Sequence, residues 1–156
     1  MPEEELGTFI LPETGTPVPD GYEIEDGDPE AAYVGKEVRL FVADPDRGGK
    51  FSVDGIEMRR QVRRLGLLAG RRCARWVEEN QKRILQERRW SFPWMPSLVF
   101  LGTCWICRWG NPGVSPYLPT NHERDGWDPD IFFLSVGFSP GDYPVLFQVV
   151  DGDSGQ

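Results

Sequence analysis

The stretch that decides the fold spans residues 55–89 and reads GIEMRRQVRRLGLLAGRRCARWVEENQKRILQERR. Apolar residues recur three or four positions apart along it, which is the spacing of one helical face. The residues on this face are Val62, Leu65, Ala69, Cys73, Trp76 and Ile84. Asp54 precedes the stretch and Glu57 follows three residues later, a capping-box pattern that indicates a helix start. The pattern predicts one long helix over residues 55–89.

Two glycines interrupt this helical pattern. Gly66 and Gly70 each cost about 1 kcal/mol relative to alanine in a helix interior. They indicate a kink, a break into two helices or a close approach by another element, and the spacing does not choose among these three.

The flanking sequence predicts a sheet. Residues 38–43 and 98–108 read as strands, 109–130 as a long loop, and 131–150 as a C-terminal β-hairpin around Ser-Pro-Gly-Asp. Strands precede and follow the helix instead of alternating with helices, which favours an α+β fold. We expect residues 31–156 to form a single α+β domain. In it, one long helix, straight or kinked, packs on a four- to five-stranded, mainly antiparallel sheet.

Charge is segregated along the chain, whose 156 residues carry a net charge of −8. Residues 1–30 hold ten acidic and no basic residues, together with five prolines, and we predict an acidic, proline-rich arm. Residues 31–93 carry +7 and residues 94–156 carry −5. The charged segments are either solvated surface or contact sites for partners of opposite charge.

Acidic residues and loop tryptophans are the candidate contacts for a partner protein. Carboxylates steer a basic partner into an encounter, and tryptophan is enriched among the residues that anchor interfaces. The candidate residues are Glu23, Glu25, Asp26 and Asp28 in the arm, and Trp94, Asp125, Trp127, Asp128 and Asp130 in the loops.

A second set of residues suggests metal or hydrolytic chemistry. Cys104 and Cys107 form a Cys-x-x-Cys pair, and the single histidine, His122, lies close to Asp125 and Asp128. With Cys73, the pair and the histidine could supply four zinc ligands, or His122 could act as a general base. The alternative is that the two cysteines are buried core residues and that the histidine is an ordinary surface residue. We expect this alternative, with no metal site and no cofactor.

A third set of residues is a row of arginines on the predicted helix. Arg60, Arg64, Arg71 and Arg75 could share one face and bind the phosphates of a nucleic acid, as in a virion-associated protein. The chain as a whole is acidic, with an isoelectric point near 4.7, which would repel a polyanion. We therefore do not expect nucleic-acid binding to be the main activity.

Composition also bears on the compartment. The longest apolar run, within residues 97–107, is shorter than the roughly 20 residues that cross a bilayer. The N-terminal residues lack the basic and apolar regions of a signal peptide, and three cysteines are too few for a disulfide scaffold. We expect a cytoplasmic protein with no membrane contact.

These observations favour a non-enzymatic protein that inhibits or neutralises another protein. Small size, acidity and an aromatic-laced surface form a profile similar to that of bacterial immunity proteins and phage-encoded inhibitors. The expected partner is a protein with a basic binding surface. The alternatives are the metal-dependent or hydrolytic enzyme and the nucleic-acid or virion component described above.

Overall fold

The computed structural model describes residues 4–24, 29–43, 54–87, 95–107, 113–121, 123, 125–138 and 141–150. Its helices are α1 Gly55–Val62, α2 Arg71–Glu79 and α3 Gln81–Glu87, with a 3₁₀ turn at Pro29–Tyr33. Its strands are β1 Glu4–Ile10, β2 Tyr22–Ile24, β3 Glu37–Val42, β4 Leu67–Leu68, β5 Ser97–Val99, β6 Trp105–Cys107, β7 Val114–Leu118, β8 Thr120–Asn121, β9 Gly126–Trp127, β10 Asp130–Phe133 and β11 Asp142–Val149.

Strand β11 is the centre of a mixed sheet that has nine strands within the described residues. It pairs along one edge with β3, and along the other with β5 in parallel and then with β4. The sheet runs in the order β1-β3-β11-β5-β7-β6-β2, and β10 lies on the remaining edge of β7. Six consecutive buried residues, from Asp142 to Phe147, fit a strand that is covered on both edges and both faces.

Alternation along the strands divides the core between the two faces of the sheet. On β11, Val145 and Phe147 join the cluster that holds the buried residues of α2 and α3, whereas Leu146 joins the cluster that holds Met58 and Val62 of α1. Successive side chains of a strand point to opposite faces. Helix α1 therefore covers one face, and α2 with α3 covers the other.

The prediction of one long helix on a four- to five-stranded sheet is wrong, although the general α+β character is confirmed. The helical pattern breaks after α1 because residues 67–68 pair with β11 as β4, and the Ala69 N–H donates to the Val145 carbonyl at 3.1 Å. A β-carbon on Gly70 would overlap the Thr103 hydroxyl. The glycines thus mark both a break in the helix and a close approach by another segment. Leu65, which was predicted to lie on the buried helical face, is 60% exposed.

The predicted C-terminal hairpin is also wrong. Strand β10 pairs with β7, and β11 pairs with β3, β4 and β5, so the two apolar runs are not partners. Both edges of β11 are already occupied, which leaves β10 to extend the sheet beyond β7. The predicted loop 109–130 contains β7, β8 and β9 and the first residue of β10, and the strand predicted at 98–108 is divided into β5 and β6.

The capping of α1 follows the sequence pattern. The Asp54 carboxylate accepts the Glu57 backbone N–H at 2.8 Å, as a capping residue does for an otherwise unpaired helix N–H. The Glu57 carboxylate is used elsewhere, by Arg60 and Gln61 on the next turn. The confirmed part of the capping box is therefore the cap provided by Asp54.

Helix α2 is capped from a distant part of the chain. The fully buried Glu30 carboxylate accepts the backbone N–H groups of Gly70 at 2.6 Å, Arg72 at 2.8 Å and Cys73 at 3.2 Å. Gly70 itself has no side chain to cap the helix. Burial, together with the neighbouring Glu30 carboxylate, raises the pKa of the Cys73 thiol well above its usual value. Glu30 thus ties the N-terminal part of the chain to the core.

Candidate functional site

The loop predicted to contact a partner contains the β8–β9 hairpin, and Trp127 anchors this hairpin to the core. The Trp127 backbone N–H donates to Gln81 Oε1 at 2.8 Å, and its carbonyl accepts from Gln81 Nε2 at 3.2 Å. Its indole N–H donates to the Pro96 carbonyl at 2.8 Å. The side chain is only 1% exposed, so the predicted surface anchor Trp127 is instead a core residue that holds the hairpin in place.

The acidic residues of this segment do reach the surface. Glu123, Asp125 and Asp130 are exposed, and within the described part of the chain none of them has an ion-pair partner. Asp125 has a φ of 51°, a turn conformation that aspartate tolerates better than most residues. We call Glu123, Asp125 and Asp130 the acidic flank. Asp128 is half-buried and accepts a hydrogen bond from Asn121 at 2.6 Å.

Three large apolar side chains are exposed at the other end of β10. Ile56 is 63%, Val136 52% and Phe133 44% exposed. Backbone hydrogen bonds join their segments: Ile56 N–H donates to the Leu134 carbonyl, Gly55 N–H to the Val136 carbonyl, and Val136 N–H to the Phe133 carbonyl. We call Ile56, Phe133 and Val136 the apolar rim. Neighbouring exposed apolar side chains mark interaction surfaces more often than isolated ones do.

A single strand connects the acidic flank to the apolar rim. Strand β10 begins at Asp130 and ends at Phe133, and three residues of strand span about 10 Å. Because the two residues are three positions apart, their side chains point to opposite faces of the strand. Sequence reasoning missed the rim, because Ile56 and Val136 are 80 positions apart and only the docking of α1 on the turn after β10 brings them together.

The other predicted contacts do not extend this surface. Glu23 is exposed on β2, where it pairs with Ile106 of β6. Four further candidates lie outside the described residues: Glu25, Asp26, Asp28 and Trp94.

The predicted arginine row is not formed. Arg60 and Arg64 belong to α1 and the turn that follows, whereas Arg71 and Arg75 are on α2, which packs on the opposite face of the sheet. Arg60 pairs with Glu57. Arg75 donates to Glu79 at 3.1 Å and to the Gly15 carbonyl at 3.4 Å. The break after α1 therefore separates residues that one continuous helix would have aligned.

The predicted metal ligands are not brought together either. Cys73 belongs to the core cluster on one face of the sheet and Cys104 to the cluster on the other face. Cys107 is half-buried, and His122 lies outside the described residues. Among the residues that the structure describes, no three His, Cys, Asp or Glu side chains are placed to share a metal ion.

Comparison with known proteins provides no further guide. The chain matches no protein-family model, and comparisons with curated proteins and with solved structures gave no match. In the described part of the chain, no helix has the length and apolar character needed to cross a bilayer. The acidic flank and the apolar rim are therefore the features on which a functional assignment can be built.

Proposed function

We propose that this chain is a non-enzymatic binding protein that covers a basic site on another protein and thereby inhibits or neutralises it. The observation that carries the proposal is that the acidic flank and the apolar rim lie at the two ends of β10, on opposite faces of the strand, so a partner that wraps around this strand contacts both. Exposed carboxylates without ion-pair partners in the described chain supply charge, and the rim supplies apolar surface that can lose its water on binding. The proposed contact surface is therefore Glu123, Asp125 and Asp130 with Ile56, Phe133 and Val136.

The two parts of this surface have different roles. The acidic flank increases the rate of encounter with a basic partner, an effect that salt weakens because the Debye length falls to about 8 Å at physiological ionic strength. The rim slows dissociation, because covering the exposed 44% of Phe133 gives part of the roughly 1.5–3 kcal/mol that full burial of a phenylalanine is worth. Phe133 replaces Trp127 as the proposed aromatic anchor, since Phe133 is exposed and Trp127 is not.

The cytoplasm remains the proposed compartment for this binding. Cys73, Cys104 and Cys107 form no disulfide with one another, which is usual for cysteines in a reducing compartment. The partner remains identified by chemistry only, as a protein with a positively charged surface beside an apolar pocket.

Capture from a lysate of the source cells tests the proposal. The immobilised full chain is compared with Phe133→Ser and with a matched control, Ile10→Ser. Ile10 is 59% exposed on β1, at the opposite end of the sheet from β10. We expect one basic protein to be retained by the wild type and by Ile10→Ser, and lost with Phe133→Ser. Equal retention by all three would overturn the proposal.

A second pair of variants tests the charge. Asp125→Asn with Asp130→Asn should weaken capture at low salt, whereas Glu37→Gln should not, because Glu37 is exposed on β3, far along the sheet from β10. A captured protein that is acidic, or capture that does not depend on salt, would contradict the role of the acidic flank.

A further inference from the structure

Strand β10 lies at an edge of the sheet. Among the described residues it pairs only with β7, where Ile131 is opposite Pro116. The Pro116 carbonyl points the other way, toward β5, and accepts the Phe100 N–H at 2.9 Å. Opposite residues of an antiparallel pair either exchange hydrogen bonds or both face away. The backbone groups of Ile131 and of Phe133, two residues later, therefore point outward from the sheet.

Two of these four outward groups are already occupied. The Ile131 N–H donates to the Asp130 carboxylate at 2.8 Å, and the Phe133 carbonyl accepts the Val136 N–H at 2.9 Å. The Ile131 carbonyl and the Phe133 N–H have no hydrogen bond to any part of the chain that the structure describes. The edge of β10 thus offers one acceptor and one donor, two residues apart.

This pair of groups fits a parallel strand. In a parallel ladder, a single residue of the added strand donates its N–H to the Ile131 carbonyl and accepts the Phe133 N–H. In an antiparallel strand two residues would share these bonds, and the second group of each would face the occupied Ile131 N–H or the occupied Phe133 carbonyl, which is unfavourable. A second copy of β10 related by a two-fold axis would hydrogen-bond only in the antiparallel direction, so the edge does not favour self-association.

The side chains of β10 define the residues that such a strand should carry. Ile131 is half-buried and Phe133 is 44% exposed on one face, so apolar side chains beside them would cover both. Asp130 is exposed on the other face and has no ion-pair partner in the described chain. A lysine or arginine two residues before the hydrogen-bonded residue would lie opposite Asp130, and opposite charges at such positions attract.

We propose that the partner binds by strand addition, with an extended segment that runs parallel to β10 along its outer edge. Addition of a strand to an exposed sheet edge is a recurrent mode of peptide recognition. The inference rests on the proposed function and deepens it by specifying the conformation, direction and residue pattern of the bound segment. A strand at this edge borders both faces of β10, so it contacts Asp130 and Phe133 although their side chains point to opposite faces.

A capped synthetic peptide, Thr-Arg-Val-Thr-Val-Thr, tests the proposal by ¹⁵N NMR titration of the full chain. Its fourth residue is designed to bond to β10, its valines to lie beside Ile131 and Phe133, and its arginine beside Asp130. We expect the Phe133 amide proton to move downfield on binding. N-methylation of the fourth residue should weaken binding about tenfold or more, because it replaces the N–H that faces β10. N-methylation of the fifth residue is the matched control and should have little effect, since that N–H faces away.

The protein variant Asp130→Asn tests the charge. Asparagine keeps a side-chain oxygen for the Ile131 N–H but removes the carboxylate. The variant should therefore bind the arginine peptide more weakly at low salt, and it should bind a peptide with threonine in place of arginine as the wild type does.

Three results would overturn strand addition in the parallel direction. They are no binding at millimolar peptide, equal loss on N-methylation of the fourth and fifth residues, and a greater loss at the fifth residue, which indicates an antiparallel strand. Failure of the proposed function is a separate outcome. If the peptides fail while a basic protein is still captured and is lost with Phe133→Ser, the binding function stands and only the strand mode is wrong. If the peptides bind as expected and no partner is captured, the strand site stands and the inhibitory function is wrong.

Discussion

Replacing Glu30 with alanine should destabilise the protein more than any surface substitution. The Glu30 carboxylate is fully buried and accepts three backbone N–H groups at the start of α2. No side chain of the helix replaces it, because the preceding residue is Gly70. Truncation to alanine therefore leaves all three N–H donors without this acceptor, and it removes the negative charge that lies near the Arg72 guanidinium.

The size of the effect follows from these contacts. A hydrogen bond to a charged group contributes about 1.5–3 kcal/mol net, and removing one member of a buried charged network costs about 3–5 kcal/mol. Arg72 Nη1 lies 3.9 Å from Glu30 Oε1, so the ion pair adds less than the three N–H contacts. We expect Glu30→Ala to lower the free energy of unfolding by about 4 kcal/mol. For a chain of this length that corresponds to a fall in Tm of about 8–16 °C.

Urea unfolding followed by circular dichroism measures this change. Glu30→Gln should lower the free energy of unfolding by an intermediate amount. Its amide keeps one acceptor oxygen but places an NH₂ group, which cannot accept, next to N–H donors. Glu79→Gln is the matched control: Glu79 is an exposed acid on the same helix, and its ion pair with Arg75 is worth less than about 1 kcal/mol. If Glu30→Ala lies within about 1 kcal/mol of the wild type, a value typical of an average mutation, the capping role of Glu30 is wrong.

Three further predictions concern the core and its ionisable groups. Gly102→Ala should lower the urea midpoint, because its β-carbon would overlap the Leu68 backbone carbonyl. Gly66→Ala should leave the midpoint nearly unchanged or raise it, because its β-carbon would meet only Leu146 Cδ1, at an ordinary van der Waals distance of 3.8 Å. Burial raises the pKa values of Cys73 and Tyr117 in the folded protein. The free energy of unfolding should therefore fall as pH rises above about 9, because only the unfolded chain then loses these protons. Urea titrations at pH 7 and pH 10 should show this fall, and it should be smaller in Cys73→Ala. Trp127→Phe should cost about 1–3 kcal/mol in urea unfolding by leaving a buried carbonyl without its donor; an unchanged midpoint would show that the indole hydrogen bond does not fix the hairpin.

Local patterns in the sequence predicted local features well. The strand expected at residues 38–43 is β3, and the cap that Asp54 provides for α1 is present. Both depend on alternation or on residues three positions apart, which are properties that neighbouring residues determine.

Features that depend on distant pairing were not predictable. The helical spacing continues from α1 through residues 63–70, but β4 forms there because β11 has a free edge at Leu146 and Phe147. Tertiary hydrogen bonds thus override the helical pattern. The apolar runs of β10 and β11 are adjacent in sequence, yet their pairing is set by β7 and β3.

The candidate site shows the same division. Of the three loop aspartates named as candidate contacts, Asp125 and Asp130 are exposed, whereas Asp128 is half-buried. The exposure of aromatic residues could not be predicted from composition. A tryptophan in a polar loop can be a surface anchor or a core residue, and hydrogen bonds to Gln81 and the Pro96 carbonyl hold Trp127 in the core. The apolar rim could not be predicted, because the sequence pattern does not show where α1 packs.

Association kinetics of the captured partner test the central claim most directly. Stopped-flow association rates are measured against ionic strength for the wild type and for Asp125→Asn/Asp130→Asn. The account predicts a wild-type rate that falls steeply with salt and a variant rate that is lower at low salt and nearly flat, with both converging at high salt. A wild-type rate that does not respond to salt, or a variant with the wild-type profile, would contradict the claim that the acidic flank recruits a basic protein.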